Sequence, residues 1–206
     1  MTVADEIEVK FRIDEAEMAK IHFFFVNKQP LVVFHEISKQ DSYYYDVQDM
    51  RIRTESSTAL SRVEPKASWP VESDGVKRYI TLKERWTVDG FEINRETEFD
   101  YNLDTQLLLN RLFPTMQETF CKRKTGEAHD YRGLHVEMFH IEAHEDGKDP
   151  ISLGMWCEVE ATIAPHSDAE AVKIAQTEIF SLLGKLGVSV DRIEKKGYRT
   201  MYQESK

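Results

Sequence analysis

The chain has 206 residues, 27 Lys plus Arg against 37 Asp plus Glu, a formal charge of −10, and 41% hydrophobic residues. That is enough apolar material for one packed domain, and interleaving of charged with apolar positions argues against a disordered chain. The acidity excludes a general nucleic-acid-coating protein, whose affinity comes from a basic surface, but leaves room for a local basic pocket.

Residues Glu6-Ile7-Glu8-Val9-Lys10-Phe11-Arg12-Ile13 alternate charged with apolar, which predicts a strand with one charged and one apolar face. Asp14 offers an N-cap, and Met18, Ile21, Phe24 and Phe25 recur at helical spacing, so a helix is expected over 14–28. From Leu31 to about Arg53, β-branched and aromatic types predict two or three strands. Residues 55–77 hold Ser, Pro and a Ser-Asp-Gly turn without periodicity, and a mobile loop is expected there. Tyr79 to Arg85 alternates again, Asp89-Gly90 marks a hairpin turn, and Phe91 to Tyr101 is the partner strand.

Asp104 to Phe113, with Leu107, Leu108, Leu109 and Leu112, reads as a short buried helix. Phe120 to Lys124, Leu134 to Ile141 and Met155 to Ile163 read as strands. Ser167-Asp168-Ala169-Glu170 is a capping box before a stripe of Val172, Ala175, Ile179, Leu182 and Leu186, with Gly187 to close the helix. The remainder carries a basic cluster, Lys195, Lys196 and Arg199, and a polar tail. No repeat divides the chain, so a single domain over 1–206 is expected. The longest apolar stretches, Ile21 to Val26 and Leu31 to Phe34, fall far short of the roughly 18 residues that cross a bilayer. Without a signal or transit pattern, a cytoplasmic location is expected, with Cys121 and Cys157 as reduced thiols.

One strand with a charged face is ordinarily a solvated edge. Here Arg51 with Arg53, Lys83 with Arg85, Lys122 with Lys124 and Glu158 with Glu160 repeat the spacing of Glu6 and Glu8. Like charges on one face repel, so these strands make sense where acidic and basic ones face each other or enclose an ion. A closed or nearly closed antiparallel barrel, its apolar outer face covered by helices, has that geometry. Clustered carboxylates suit a hard divalent cation such as Mg²⁺ or Mn²⁺, and Lys and Arg suit phosphate oxygens.

Glu6-Ile7-Glu8-Val9-Lys10 resembles the ExExK signature of the CYTH superfamily, the triphosphate tunnel metalloenzymes. Further landmarks follow in that family's order: Asp41-Ser42-Tyr43 resembles its D-x-Y strand, Met50-Arg51-Ile52-Arg53 its LRxR strand, and Ile80-Thr81-Leu82-Lys83 its LTxK strand. Leu153 to Glu160 resembles its LGxxxExE strand, and Gly197-Tyr198-Arg199 resembles a C-terminal element of the class IV adenylyl cyclases. The resemblance covers positions 6 to about 202 and implies an α+β fold, an eight-stranded antiparallel tunnel with flanking helices. It further implies a metal site of Glu6, Glu8, Glu158 and Glu160 for two Mg²⁺ or Mn²⁺ ions, and phosphate contacts from Lys10, Arg51, Arg53 and Lys83, joined by Arg85. Glu6, Glu8, Lys10 and Glu160 are the implied catalytic set.

Three positions depart from the pattern. Glu137, one methylene longer, stands for the family's metal-site Asp, and Lys122-Arg123-Lys124 stands for K-x-R, with Lys122 and Lys124 inward by alternation. Arg95-Glu96-Thr97-Glu98 resembles the R-x-E region without a fixed register. Lys196 is placed either to close over a phosphate or to stay solvated, and His135, His140 and His144 read as surface or core residues. The leading expectation is a cyclase turning ATP into cyclic AMP and pyrophosphate. The alternatives are a triphosphatase for inorganic triphosphate, thiamine triphosphate, NTP or an RNA 5′ end, and a non-catalytic polyphosphate or nucleotide sensor. No membrane partner is expected, and a homodimer is left open.

Overall fold

Period-two alternation runs through eight strands, and its consequence is a barrel whose two faces have opposite chemistry. The computed structural model describes residues 2–28, 34–44, 50–60, 76–88, 91–114 and 118–206. The strands are β1 (Thr2–Ile13), β2 (Phe34–Tyr44), β3 (Met50–Leu60), β4 (Lys77–Val88), β5 (Phe91–Asp100), β6 (Glu118–Tyr131), β7 (Leu134–His144) and β8 (Ile151–Ile163). They close in the order β1-β5-β4-β3-β2-β6-β7-β8, every pairing antiparallel. The helices among the described residues are α1 (Glu15–Lys28), α2 (Leu103–Leu112), α3 (Ala169–Leu186) and α4 (Tyr198–Glu204).

The main core lies outside the barrel. Ile7, Val9, Phe11 and Ile13 of β1, Val136 and Met138 of β7, and Cys157, Val159 and Ala161 of β8 are buried under Ile21 and Phe25 of α1 and Val172, Ile179, Leu182 and Leu183 of α3. Burying such side chains contributes about 1.5–3 kcal/mol each. Because apolar packing is satisfied on the outer face, the lumen is left to the charged residues of the alternate positions.

Local chemistry explains the helix ends. Asp14 Oδ1 accepts from the Glu17 N–H at 2.8 Å, and Glu17 returns a carboxylate to the Asp14 N–H at 3.2 Å, a capping box at the start of α1. At α3 the N-cap is Asp168, which accepts from the Ala171 N–H at 2.9 Å, whereas Ser167 donates to the Ala164 carbonyl at 2.6 Å. Gly187 closes α3 in the left-handed region, φ 73°.

Several expectations change. The interval expected as a 55–77 loop shortens, since β3 runs to Leu60 and β4 starts at Lys77; residues 61–75 lie outside the described residues. Leu31 to Val33 and the Asp89-Gly90 turn also lie outside them, while Val88 pairs with Phe91 on either side of that turn. β6 is far longer than the Phe120 to Lys124 segment and turns into β7 through Arg132 and Gly133, φ 52° and 81°, the positive pair that a two-residue hairpin requires. The largely polar residues 125–129 hid this extension, because their strand state comes from pairing on both sides with β2 and β7 rather than from apolar alternation.

α2 forms where expected, but it is not a buried helix: Leu103, Leu107, Leu108 and Leu112 are 55–68% exposed and only Leu109 is buried. It covers a small cluster of Met50, Ile52 and Ile80, which accommodates a single leucine. The C-terminus is not a polar tail, because α4 buries Tyr198 and Tyr202. Cys121 and Cys157 are both free and buried. No helix among the described residues is long and apolar enough to cross a membrane.

Candidate active site

Strand order sorts the inward charges into two halves. Adjacent strands β7, β8, β1 and β5 contribute Glu137, Glu158, Glu160, Glu6, Glu8, Glu96 and Glu98, while β4, β3, β2 and β6 contribute Lys83, Arg85, Arg51, Arg53, Lys39, Lys122 and Lys124. All of these line one cavity of about 990 Å³. Lys10 and His135 are cations within the acidic half, and Asp41 is an anion within the basic half.

Every residue given a metal, phosphate-binding or catalytic role from the sequence lines this cavity except Lys196, whose ammonium pairs with Glu204 at 2.7 Å on the exterior. Its neighbours Lys195 and Arg199 are the C-terminal cations that reach the lumen. The R-x-E register is fixed by β5: Glu96 and Glu98 face inward, and Arg95 faces outward in a fork on Asp5 at 2.7 and 2.9 Å. Arg123 likewise points away, donating to Gln40 at 3.3 Å, which leaves Lys122 and Lys124 inside as alternation required.

The basic half is wired to few anions. Arg53 forks Asp41 at 2.6 and 3.0 Å, Lys122 reaches the same carboxylate at 3.2 Å, and Arg51 lies 3.7 Å from it. Burial alone would raise the Asp41 carboxyl, but Arg53, Lys122 and Arg51 hold it well below the usual range. Arg51 and Lys83 share Glu96 at 2.6 and 2.9 Å. Burial opposes ionisation of Glu96 as well, and Arg51, Lys83 and Arg53 bring its pKa down to about 2.

The acidic half contains two kinds of carboxylate. Glu158 lies between Lys10 and Glu137 across the sheet, bonds to Lys124, and accepts from the Tyr198 hydroxyl at 2.8 Å. Glu137 binds Lys39, lies 3.4 Å from Lys124 and 3.2 Å from His135 Nε2. Against the upward push of burial, these cations hold Glu158 at about 2 and Glu137 well below its ordinary value. Burial would discharge His135, yet Asp130 and Glu137 hold its pKa up at about 10, so it is a cation of the lumen.

Glu6 and Glu160 differ. Neither forms an ion pair among the described residues. Burial, then the charges of Glu160 and Glu96, raise Glu6 to about 9, and burial followed by Glu8 raises Glu160. Glu8 stands directly across from Glu160 in the register and only 4.0 Å from Lys10. Carboxylates crowded this way are short of a cation, and an oxygen donor set is what a hard divalent ion takes. The residues therefore fit a divalent metal at Glu6, Glu8 and Glu160, whereas Glu137 and Glu158 are already compensated by cationic side chains.

Lys39, His135 and Tyr198 were not singled out as site residues by sequence. Lys39 sits two positions from Asp41 on one strand face, and Tyr198 and Tyr202 are four apart on one helix face, the signals that mark them. The Tyr198 ring packs edge-on against Trp156 at 5.5 Å and is approached by the ammoniums of Lys10, Lys122 and Lys124 at 5.6, 5.1 and 5.8 Å. Tyr43 packs on Phe120 at 5.6 Å, in keeping with a packing role.

The family description that matches this chain is the CYTH domain, over residues 4–198. The chain belongs to the CYTH family. CYTH enzymes bind triphosphate substrates and typically depend on a divalent metal. Among solved structures, the CYTH chain is similar to PH1819 of Pyrococcus horikoshii OT3, with 18% identity, TM-score 0.65, and 98% of this chain and 99% of that one covered. It is also similar to a candidate adenylate cyclase of Vibrio parahaemolyticus, with 15% identity, TM-score 0.58 and coverage of 96% and 97%. The Mimivirus capping enzyme triphosphatase aligns at 12% identity and TM-score 0.50, covering 87% and 90%. At these identities the likeness establishes the shared eight-stranded tunnel. No curated protein sequence matches significantly.

Proposed function

We propose that this CYTH chain binds a nucleoside triphosphate with a divalent metal in its tunnel and, in the cyclase manner, converts ATP to cyclic AMP and pyrophosphate. The observation that carries the reading is the two-sided lumen: Glu6 and Glu160 form no ion pair among the described residues and have raised pKa values on one wall, while Arg51, Arg53 and Lys122 share Asp41 on the other. A triphosphate draws these cations from Asp41 and Glu96, and the guanidinium forks of Arg51 and Arg53 match its oxygens.

Glu6, Glu8 and Glu160 are the residues that would hold the metal. When bound, the ion supplies positive charge to the phosphates and lowers the pKa of the ribose 3′-hydroxyl. The basic wall orients the chain of phosphates so that the 3′-oxygen, its proton passed to water, attacks the α-phosphorus in line, the bond to the bridging oxygen breaks, and pyrophosphate departs with its charge held by Lys and Arg. Two features support a cyclase register. The cavity of about 990 Å³ has room for a nucleoside beyond the phosphates, at the upper end of the roughly 300–1,000 Å³ of small-molecule sites. The Gly197-Tyr198-Arg199 element, which resembles that of class IV cyclases, contributes to the lining.

Incubation with ATP and Mn²⁺, with products resolved chromatographically, tests the reading. Cyclic AMP and pyrophosphate in equal amounts are expected. Orthophosphate without cyclic nucleotide overturns the cyclase in favour of a triphosphatase acting on the γ-phosphorus in the same site. Tight binding with no product at all indicates a sensor.

A further inference from the structure

Outside the barrel, beneath α1, three metal-ligating side chains converge that the tunnel does not use. Glu127 and His129 are two apart on β6, on the face opposite to Lys122 and Lys124, and His22 descends to them from α1, one turn before Phe25. His22 Nδ1 lies 2.8 Å from Glu127 Oε1, and His129 Nε2 lies 3.2 Å from the same oxygen. The three ligand atoms are all within 4.8 Å of one another.

We infer that His22, Glu127 and His129 form a binding site for a borderline-soft divalent transition metal, Zn²⁺ foremost, separate from the oxygen-lined tunnel. Two imidazole nitrogens and one carboxylate are a donor set that zinc accepts with its fourth position left to water. With metal–ligand bonds of about 2.0–2.2 Å, tetrahedral ligand atoms stand about 3.4 Å apart. To admit the ion, the observed 2.8 and 3.2 Å contacts open by about 0.6 and 0.2 Å, and the two imidazole nitrogens, no more than 4.8 Å apart, settle to the same tetrahedral spacing, a rearrangement within reach of side-chain rotation by the half-exposed His22.

The surroundings preorganise the site and leave it a way in. The His129 ring is wholly buried and stacked on Phe25, centroids 4.8 Å apart at 18°, while His22 meets it edge-on at 5.8 Å. Glu127 is 13% exposed and His22 36%, so the half-open histidine is the side from which a hydrated ion arrives. Imidazole donors also separate this site chemically from the tunnel, whose carboxylates favour Mg²⁺ or Mn²⁺. A bound ion ties α1, part of the cover over the acidic half, to β6 of the basic half, and stabilises the fold by mass action.

The test titrates the full chain with Zn²⁺, and with Co²⁺ as a spectroscopic probe, in excess Mg²⁺ that occupies the oxygen-only sites. One equivalent of Co²⁺ with the intense visible absorption of tetrahedral coordination is expected, together with a Zn²⁺-dependent rise in Tm. In His22→Ala and Glu127→Gln, both shown folded by circular dichroism, affinity falls by about 100-fold or more, while turnover of ATP with Mn²⁺ matches the wild type. Absence of tetrahedral absorption in the wild type, or equal uptake by the wild type and His22→Ala, overturns the inference and leaves the trio as a hydrogen-bonded clasp between helix and sheet. Because the readout is metal uptake at a site outside the barrel, its failure is distinguishable from failure of the cyclase reading.

Discussion

Glutamates of one covalent structure take opposite protonation preferences within a single lumen. Glu96 and Glu158 are held at about 2 because cations outweigh burial, whereas Glu6 is raised to about 9 because burial and neighbouring carboxylates act together. The signs fix a pH profile for the metal-free protein. Glu6 has a folded pKa above its ordinary 4.5, so its contribution to stability is complete below about 4.5 and is lost as pH rises towards about 9. Glu96 and Glu158 contribute above about 4.5 and lose that contribution as pH falls towards about 2. Thermal denaturation without metal is therefore expected to show Tm falling from pH 6 to pH 9, at about 2–4 °C per kcal/mol for a chain of this size. Mn²⁺ is expected to raise Tm more at pH 9 than at pH 6, because the ion supplies the charge the crowded carboxylates need. Glu160→Gln removes one like charge and flattens the metal-free slope. A metal-free Tm that climbs from pH 6 to pH 9 would contradict the assignment of Glu6 and Glu160 as uncompensated.

At the scale of elements, legibility follows from where a strand or helix finds its partners. β1, β4 and β8 could be read because charge and apolar residue alternate and because each strand's apolar face meets helices or other strands in the way that pattern demands. β6 could be read only in part, since residues 125–129 are held by pairing on both edges rather than by their own periodicity. The α2 leucines announced a helix correctly but not its environment, for burial depends on a partner surface that the helix's own residues do not describe. α4 was hidden by its length: in seven residues, the two tyrosines are its only marked stripe. A close approach within the β6–β7 hairpin was equally invisible. A Cβ on Gly126 would stand 2.0 Å from the Met138 carbonyl oxygen, a backbone atom that cannot step aside. Gly126→Ala is expected to cost about 3 kcal/mol, the upper end of overpacking effects, and urea denaturation measures it. A loss below about 0.5 kcal/mol, the range of innocuous surface changes, would show that the two strands part easily there.

For the whole molecule, the informative feature is the closing order of the strands, which places β7-β8-β1-β5 on one side of the tunnel and β4-β3-β2-β6 on the other. The individual charged pairs were legible, but their segregation was not, because it arises from non-consecutive neighbours such as β1 with β5 and β2 with β6. Without ligand the halves compensate each other where they meet: Arg51 and Lys83 lean on Glu96, and Lys39 and Lys124 lean on Glu137 and Glu158. A triphosphate arriving alone withdraws those cations and leaves the carboxylates bare; a divalent ion arriving alone satisfies Glu6, Glu8 and Glu160 but brings the basic wall no anion. Together, each removes the charge the other would leave unbalanced, so the two ligands are expected to bind with positive coupling. Coupling free energies of this kind run about 1–3 kcal/mol, or 5–150-fold in affinity. Calorimetry with a non-hydrolysable triphosphate analogue, corrected for its complex with Mn²⁺ in solution, measures the factor, and reciprocity requires the same factor for Mn²⁺ binding with and without the analogue. Independent binding of the two would mean that the acidic and basic walls do not sense one another across the lumen, and the tunnel would then be two sites rather than one.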